Sequence, residues 1–303
     1  MEIIDGDKER KMKSTRNFNF LIFKTYSNNL QKFRGFNIKY SNLLSKDRSY
    51  INSSIYVGRH SKLEVLFKLN PEKLKIAVLG GTGNIGEGMV LRLALQNLMT
   101  EGVKNEIIIG SRSRESADEA AKAALSELEN CGFDTSSITI TGNTNLEAAR
   151  AAEIIILTIR FDHVLPLLDE IGEAIEDKII VTPVVPMVKE GDLFVYKPPA
   201  EGSAALAIQK KVPASTKVVA AFHNISAGKL KDIVKCKAVH HALVCSDDAE
   251  AKKLIVELTR HMGCLTPLDG GPLRQANTME SLTPLLINLA KLNGLKDLGI
   301  NFS

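Results

Sequence analysis

The chain has 303 residues, about two domains by length, with 44% apolar, 24% charged and 5% aromatic residues. That is an ordinary globular composition and argues against disorder of the whole chain. A formal charge of +4 is too small to point to nucleic acid unless one face concentrates it; no apolar run approaches the ~20 residues of a membrane-spanning helix; and four cysteines (Cys131, Cys236, Cys245, Cys264) without a CxxC pair argue against a disulfide framework or a zinc site.

The composition changes near Pro71. Residues 1–74 hold 15 Lys and Arg against 7 Asp and Glu, no alanine, six of the eleven Phe and four of the five Tyr. Residues 75–303 hold 24 basic against 28 acidic residues, so the two parts carry opposite charge. The first segment reads as a basic extension binding an acidic surface, as a targeting sequence, or as the product of an upstream start codon. Glu2, Asp5, Asp7 and Glu9 contradict an acid-poor presequence, and no periodicity there is long enough to bury a core. The expectation is a disordered or mis-annotated extension over 1–74.

Residues 76–79 form a short apolar run, the pattern of a parallel strand covered on both faces. Gly81-Thr82-Gly83-Asn84-Ile85-Gly86 follows and matches GxGxxG, and a helical pattern runs on through Met89, Val90, Leu93 and Leu98. In that context the motif cradles a pyrophosphate. Gly81 is expected to make the tight turn, Gly83 to admit the phosphate, and Gly86 to let the helix pack close, with free N–H groups at its start facing the anion. The next strand, 106–110, ends in Gly110-Ser111-Arg112, with Arg114 close by. An NAD site carries Asp or Glu there; a guanidinium and a hydroxyl instead suit a 2′-phosphate, hence NADP.

The alternation continues. Helices are expected at 116–128, 145–152, 163–175 and 203–212, and strands at 137–141, 153–159, 178–185 and 217–222. Six strands alternating with helices define a Rossmann-type, doubly wound parallel α/β sheet over 75–222, followed by a small C-terminal α/β domain over 223–303. Ligands in such sheets lie beyond the carboxyl ends of the strands. That makes Thr158, Ile159 and their neighbours to Phe161, with 182–185 and 222–227, the expected walls of the site.

At this point the chain resembles the NADPH-dependent reductases of coenzyme F420, the F420:NADP oxidoreductases. The matching stretches are LGGTGNIGEG (79–88), IIIGSR (107–112), VVAAFHNISA (218–227), LVCSDDAEAKKL (243–254), LDGGPLRQANTMESLTPLLINL (268–289) and a GLKDLGINF tail. The resemblance covers 75–303. It implies hydride transfer between NADP and the deazaflavin of coenzyme F420, chemistry in which the cofactors carry the reactive atoms and the protein supplies position. It places the nucleotide on Gly81, Thr82, Gly83, Asn84 and Ile85 and its 2′-phosphate on Ser111 and Arg112. Arg114 stands in for a basic residue absent at Ser116. His223, Ile225 and Ala227 fall on the deazaflavin side, Ser281 and Thr283 near the paired rings, and Leu298 over the deazaflavin. Ile225 is expected to set ring separation, and the His223 imidazole and Thr283 hydroxyl to orient or polarise the deazaflavin. Where the family has Pro then Trp, this chain has Arg160 and Phe161, and Arg160 reads equally as a phosphate contact or a solvated residue.

Structural readings stand beside these. His223 also reads as a satisfied histidine at a strand end, and Ser281 and Thr283 as caps of a helix turning at Pro284. His240 and His241 lie on a strand and so face opposite ways, which speaks against a shared metal. Asp247 and Asp248 should start a helix running to His261. Leu282, Leu285, Leu286 and Leu289 recur at helical spacing, as core or as a dimer surface. The expected partners are the two small molecules and a second copy of the chain, in the cytoplasm, without nucleic acid or membrane. Two other functions compete: an NADP-dependent reductase of an imine, ketone or metal, for which His223 is the candidate proton donor, and a non-catalytic NADPH sensor.

Overall fold

A computed structural model describes residues 73–234 and 239–302. The expected extension therefore falls outside the described residues, apart from its last two positions. In chain order the fold begins β1 (Lys75–Leu79), α1 (Asn84–Met99), β2 (Glu106–Ser111), α2 (Arg114–Asn130), β3 (Thr139–Thr144), α3 (Asn145–Ala151) and β4 (Ile154–Leu157). It continues with α4 (Val164–Ile171), β5 (Ile179–Thr182), a hairpin of β6 (Met187–Glu190) and β7 (Leu193–Tyr196), α5 (Ala204–Lys211) and β8 (Lys217–Ala221). The last part holds α6 (Ala227–Lys231), β9 (His240–Cys245), α7 (Ala249–Arg260), β10 (Leu265–Asp269) and α8 (Ala276–Leu292).

β1 is apolar throughout its buried length because it lies in the middle of the sheet. It pairs in parallel with β2 on one side and β4 on the other. Ile76 and Val78 pack into one layer of core with α1, α2 and α7; Ala77 and Leu79 pack into the other with α3, α4 and α5. Neither face sees water, so no polar alternation is permitted. The full order is β10-β9-β8-β5-β4-β1-β2-β3. The chain builds β2 and β3 on one side of β1, then crosses to build β4 and β5 on the other. A crevice opens where the two windings diverge, at the carboxyl ends of β1 and β4.

The expected C-terminal α/β segment contributes β9 and β10 to this same sheet. β9 runs antiparallel to β8, pairing Ala220 with Cys245 and Ala221 with Val244, and β10 lies parallel beyond it. The β6–β7 hairpin forms a separate two-stranded sheet that the sequence reading left unassigned. Asn288 of α8 holds it as a neighbouring strand would: its amide donates to the Phe194 carbonyl at 2.7 Å and its oxygen accepts from the Phe194 N–H at 2.8 Å.

The leucines of α8 are not core. The helix buries Ala276, Met279, Glu280 and Pro284, whereas Leu285 and Leu289 are exposed and Leu286 lines a cleft described below. Nor does α8 start at Pro284; it runs through that residue from Ala276. The cysteine spacing argued against a disulfide framework: Cys131 and Cys245 are free, but Cys264 is disulfide-bonded.

Glu280 joins α8 to the start of α5. Its carboxylate is fully buried and accepts from the Ala204 and Ala205 N–H groups at 2.8 and 3.0 Å and from the Tyr196 hydroxyl at 2.9 Å. Burial pushes its pKa up to about 7 despite these donors, which favour the charged form. Between pH 4.5 and 7 the unfolded chain therefore gives up this proton while the folded chain keeps it, so the group's contribution to stability falls as pH rises and is lost above pH 7. Glu280→Gln keeps an acceptor and removes the titration. Urea unfolding should show wild type losing about 3 kcal/mol relative to this variant from pH 4.5 to 7. Parallel pH profiles would contradict the assignment.

Candidate active site

The turn after β1 is made by Gly80, not Gly81. Gly80 has φ +83°, the left-handed region that glycine tolerates, and its N–H donates to the Gly110 carbonyl at 2.9 Å. Gly81 serves packing instead: a Cβ there would lie 2.8 Å from the Ile109 side chain. A Cβ on Gly83 would meet only the Gly80 carbonyl oxygen, at 3.4 Å, so the space beside it is open. Gly86 has the expected role. A Cβ there would sit 2.8 Å from the Thr158 hydroxyl and closer still to the Gly80 carbonyl, and its absence brings α1 against the strand ends. Thr82, Gly83 and Asn84 are exposed and Ile85 is half-buried. Gly83 caps α1 without a side-chain hydrogen bond, which leaves the helix start open to an anion. The Asn84 oxygen accepts from Lys231 at 3.2 Å, and Lys231 also pairs with Glu87.

Ser111 ends β2 and Arg112 follows it into solvent. No ion pair among the described residues engages Arg112, whereas Arg114 reaches Asp118 at 4.0 Å, one turn along α2. Both guanidiniums are solvent-facing, and the Arg114–Asp118 pair is a weak surface contact. Ser113 caps α2 by accepting from the Ser116 N–H at 3.2 Å.

Beyond the strand ends lies a cleft of about 1290 Å³. It brings together Asn84, Ile85, Thr158, Ile159, Arg160, His223, Ile225, Ala227, Thr283 and Leu298. Gly81, Thr82, Gly83, Ser111, Arg112 and Arg114 lie outside its lining, on the loop after β1 and from the end of β2 to the start of α2. Ser281 also lies outside: its hydroxyl donates to the Thr278 carbonyl at 2.7 Å, the usual resort of a serine within a helix. Arg160 is exposed and bonds Asp162 at 2.9 Å.

His223 is 4% exposed, and both ring nitrogens are buried without a protein hydrogen-bond partner. Burial lowers its pKa to about 3, and the nearby Val184 backbone opposes that without offsetting it, so the ring is neutral at neutral pH. Thr283 lies beside His223. Its hydroxyl donates to the His223 carbonyl at 2.7 Å, so its proton is committed and only lone pairs remain for a ligand. Thr158 is similarly committed, donating to the Leu79 carbonyl at 2.9 Å.

Two residues inside the expected wall 222–227 have features that the sequence did not show. Phe222 follows β8 directly with φ +69°, a strained conformation for an aromatic residue, and so redirects the chain into the cleft wall. Asn224 is 2% exposed; its amide donates to the His241 carbonyl at 2.6 Å, while its oxygen is buried without a partner. The β6–β7 hairpin supplies a further wall through Met187, Val188 and Phe194. Part of its signal was present: Gly191-Asp192 is a two-residue turn signal followed by the apolar run LFVY, although the MVKE before it is half charged.

A doubly wound sheet with a glycine loop that leaves the start of α1 open, and a roomy cleft beyond its strand ends, is the architecture of a dinucleotide-dependent oxidoreductase. Residues 75–186 match the family model described as NADP oxidoreductase, coenzyme F420-dependent. The F420-dependent NADP reductase of Methanocaldococcus jannaschii is 37% identical over 225 residues, 71% of this chain and 92% of that protein. The enzyme of the same name from Methanothermobacter marburgensis is 38% identical over 236 residues, 76% of this chain and 98% of that protein. A solved structure from Arthrobacter sp. FB24, named for the same activity, has a TM-score of 0.62 at 24% identity, covering 76% of this chain and 99% of that one, and agrees in fold. The chain belongs to the F420-dependent NADP reductase family. Among the described residues, no helix is long and apolar enough to cross a membrane.

Arg112→Ala should weaken NADPH by about 1–3 kcal/mol, the usual worth of a lost charge-assisted contact, and leave NADH almost unchanged. Dissociation constants for the two dinucleotides measure this. Equal losses would refute the 2′-phosphate assignment.

Proposed function

We propose that this chain transfers a hydride between NADP(H) and coenzyme F420: NADPH, oxidised F420 and a proton give NADP+ and reduced F420. The observation that carries the reading is the cleft itself. At about 1290 Å³ it exceeds the ~300–1,000 Å³ of a typical single-ligand pocket. The buried His223 nitrogens and Asn224 oxygen in its wall also have no protein partner, as expected of polar groups that await a ligand. The residues present therefore fit two ring systems side by side.

The open start of α1 and the Thr82–Asn84 backbone hold the pyrophosphate, and Ser111 and Arg112 hold the 2′-phosphate. Ile159 and Thr158 flank the nicotinamide. The nicotinamide and deazaflavin rings supply the redox chemistry when bound. Ile225 is 4% exposed and apolar, and its branched side chain sets how closely the rings approach. The neutral His223 offers one donor and one acceptor to orient the deazaflavin, and Thr283 holds His223 through its backbone carbonyl. Ala227 and Leu298 cover the ring and exclude water. The hydride transfer itself needs no side-chain acid or base, and solvent supplies the proton that the reduced deazaflavin takes up on a ring nitrogen, so catalysis rests on near-attack geometry. A reductase of an imine or ketone would need a proton donor, and a histidine neutral down to about pH 3 is poorly suited to that task.

A homodimer accompanies this reading. Leu285, Leu289 and Leu292 recur on one outward face of α8 at 40–67% exposure, a stripe that a second copy would cover; sedimentation of the purified protein tests it. A cytoplasmic location follows from the use of intracellular NADP(H).

Mixing the protein anaerobically with NADPH and oxidised F420 should bleach the visible absorption of the deazaflavin. No bleaching would defeat the reading, and NADPH binding without turnover would favour a sensor.

A further inference from the structure

His241 lies outside the cleft, yet it holds two of the cleft's walls. The antiparallel pairing of β8 with β9 covers only Ala220–Cys245 and Ala221–Val244. Continued in register, it would set residue 224 opposite residue 241, but the backbone has by then turned at Phe222. The Asn224 side-chain amide makes the missing cross-link instead, donating to the His241 carbonyl at 2.6 Å. From the other direction, the Phe302 N–H donates to His241 Nδ1 at 2.9 Å, and the two rings lie 6.0 Å apart at 53°. Between this anchor and α8 the chain passes over the cleft, where Leu295, Lys296, Asp297 and Leu298 all line it. The strap lies close to the loop below: a Cβ on Gly299 would meet Lys229 Cε at 3.4 Å and the Asn224 carbonyl at 3.7 Å.

We propose that His241 is a positioning residue that latches residues 295–302 across the deazaflavin side of the cleft, with an unprotonated Nδ1 as the acceptor for the Phe302 N–H. One residue thereby sets both Asn224 in the wall and Leu298 in the roof. This rests on the reading of the cleft as the F420 site. The latch itself is a property of the chain and can be observed without any substrate.

The test compares wild type, His241→Phe, which keeps a ring against Phe302 but removes the acceptor, and His241→Asn, which restores an oxygen at the position of Nδ1. Hydrogen exchange of the C-terminal peptide, read by mass spectrometry on the full chain, should be about 3- to 10-fold faster in His241→Phe, as expected for one lost hydrogen bond. KM for F420 should rise by a similar factor, with kcat and the KM for NADPH within about twofold. His241→Asn should return both readouts towards wild type. Unchanged exchange in His241→Phe would overturn the latch. So would failure of His241→Asn to restore slow exchange. Absence of F420 turnover in wild type would defeat the functional reading alone; the exchange comparison would still decide the latch.

Discussion

The Thr283 hydroxyl, 2.7 Å from the His223 carbonyl, ties the last helix to the end of β8. The two segments are 60 residues apart, and no ladder or helix bond joins them directly at this point. β8 is embedded in the sheet, whereas α8 carries the wall contributed by Leu286 and Ile287 and, through Asn288, the hairpin. The cleft keeps its shape only while these move as one body. Glu280 reinforces the same link one turn earlier by binding the start of α5.

The electrostatics of this wall are muted. His223 is held neutral by burial, and Glu280 titrates near neutrality for the same reason. Charge lies elsewhere, in Arg112 and the open start of α1, and around the cleft in Arg160, Lys189, Lys197, Lys291, Lys296 and Asp297. On the proposed reading, a neutral wall beside the rings suits a reaction in which position matters more than proton transfer.

Legibility of the sequence followed burial. β1, β2, β4, β5 and β8 are covered on both faces and therefore read as apolar runs. β10 did not, because it is an edge strand that tolerates Pro267 in its middle. The glycine loop was legible as a motif but not in its division of labour. Spacing alone does not show that Gly80 takes the positive φ while Gly81 lies under Ile109. Thr283 and Ser281 were legible as hydroxyls near the site. What each hydroxyl does with its proton depends on tertiary neighbours, the His223 carbonyl for one and its own helix for the other. Asn224 stood beside His223 in the sequence, but its buried, partnerless oxygen becomes apparent only once β9 is beside it.

Transfer of a deuterium label from NADPH, placed at C4 of the nicotinamide, tests the side-by-side arrangement most directly. If the rings meet in the cleft, the label should be recovered in reduced F420 when the reaction is run in ordinary water. Recovery of the label in solvent, with reduced F420 formed unlabelled, would contradict the account.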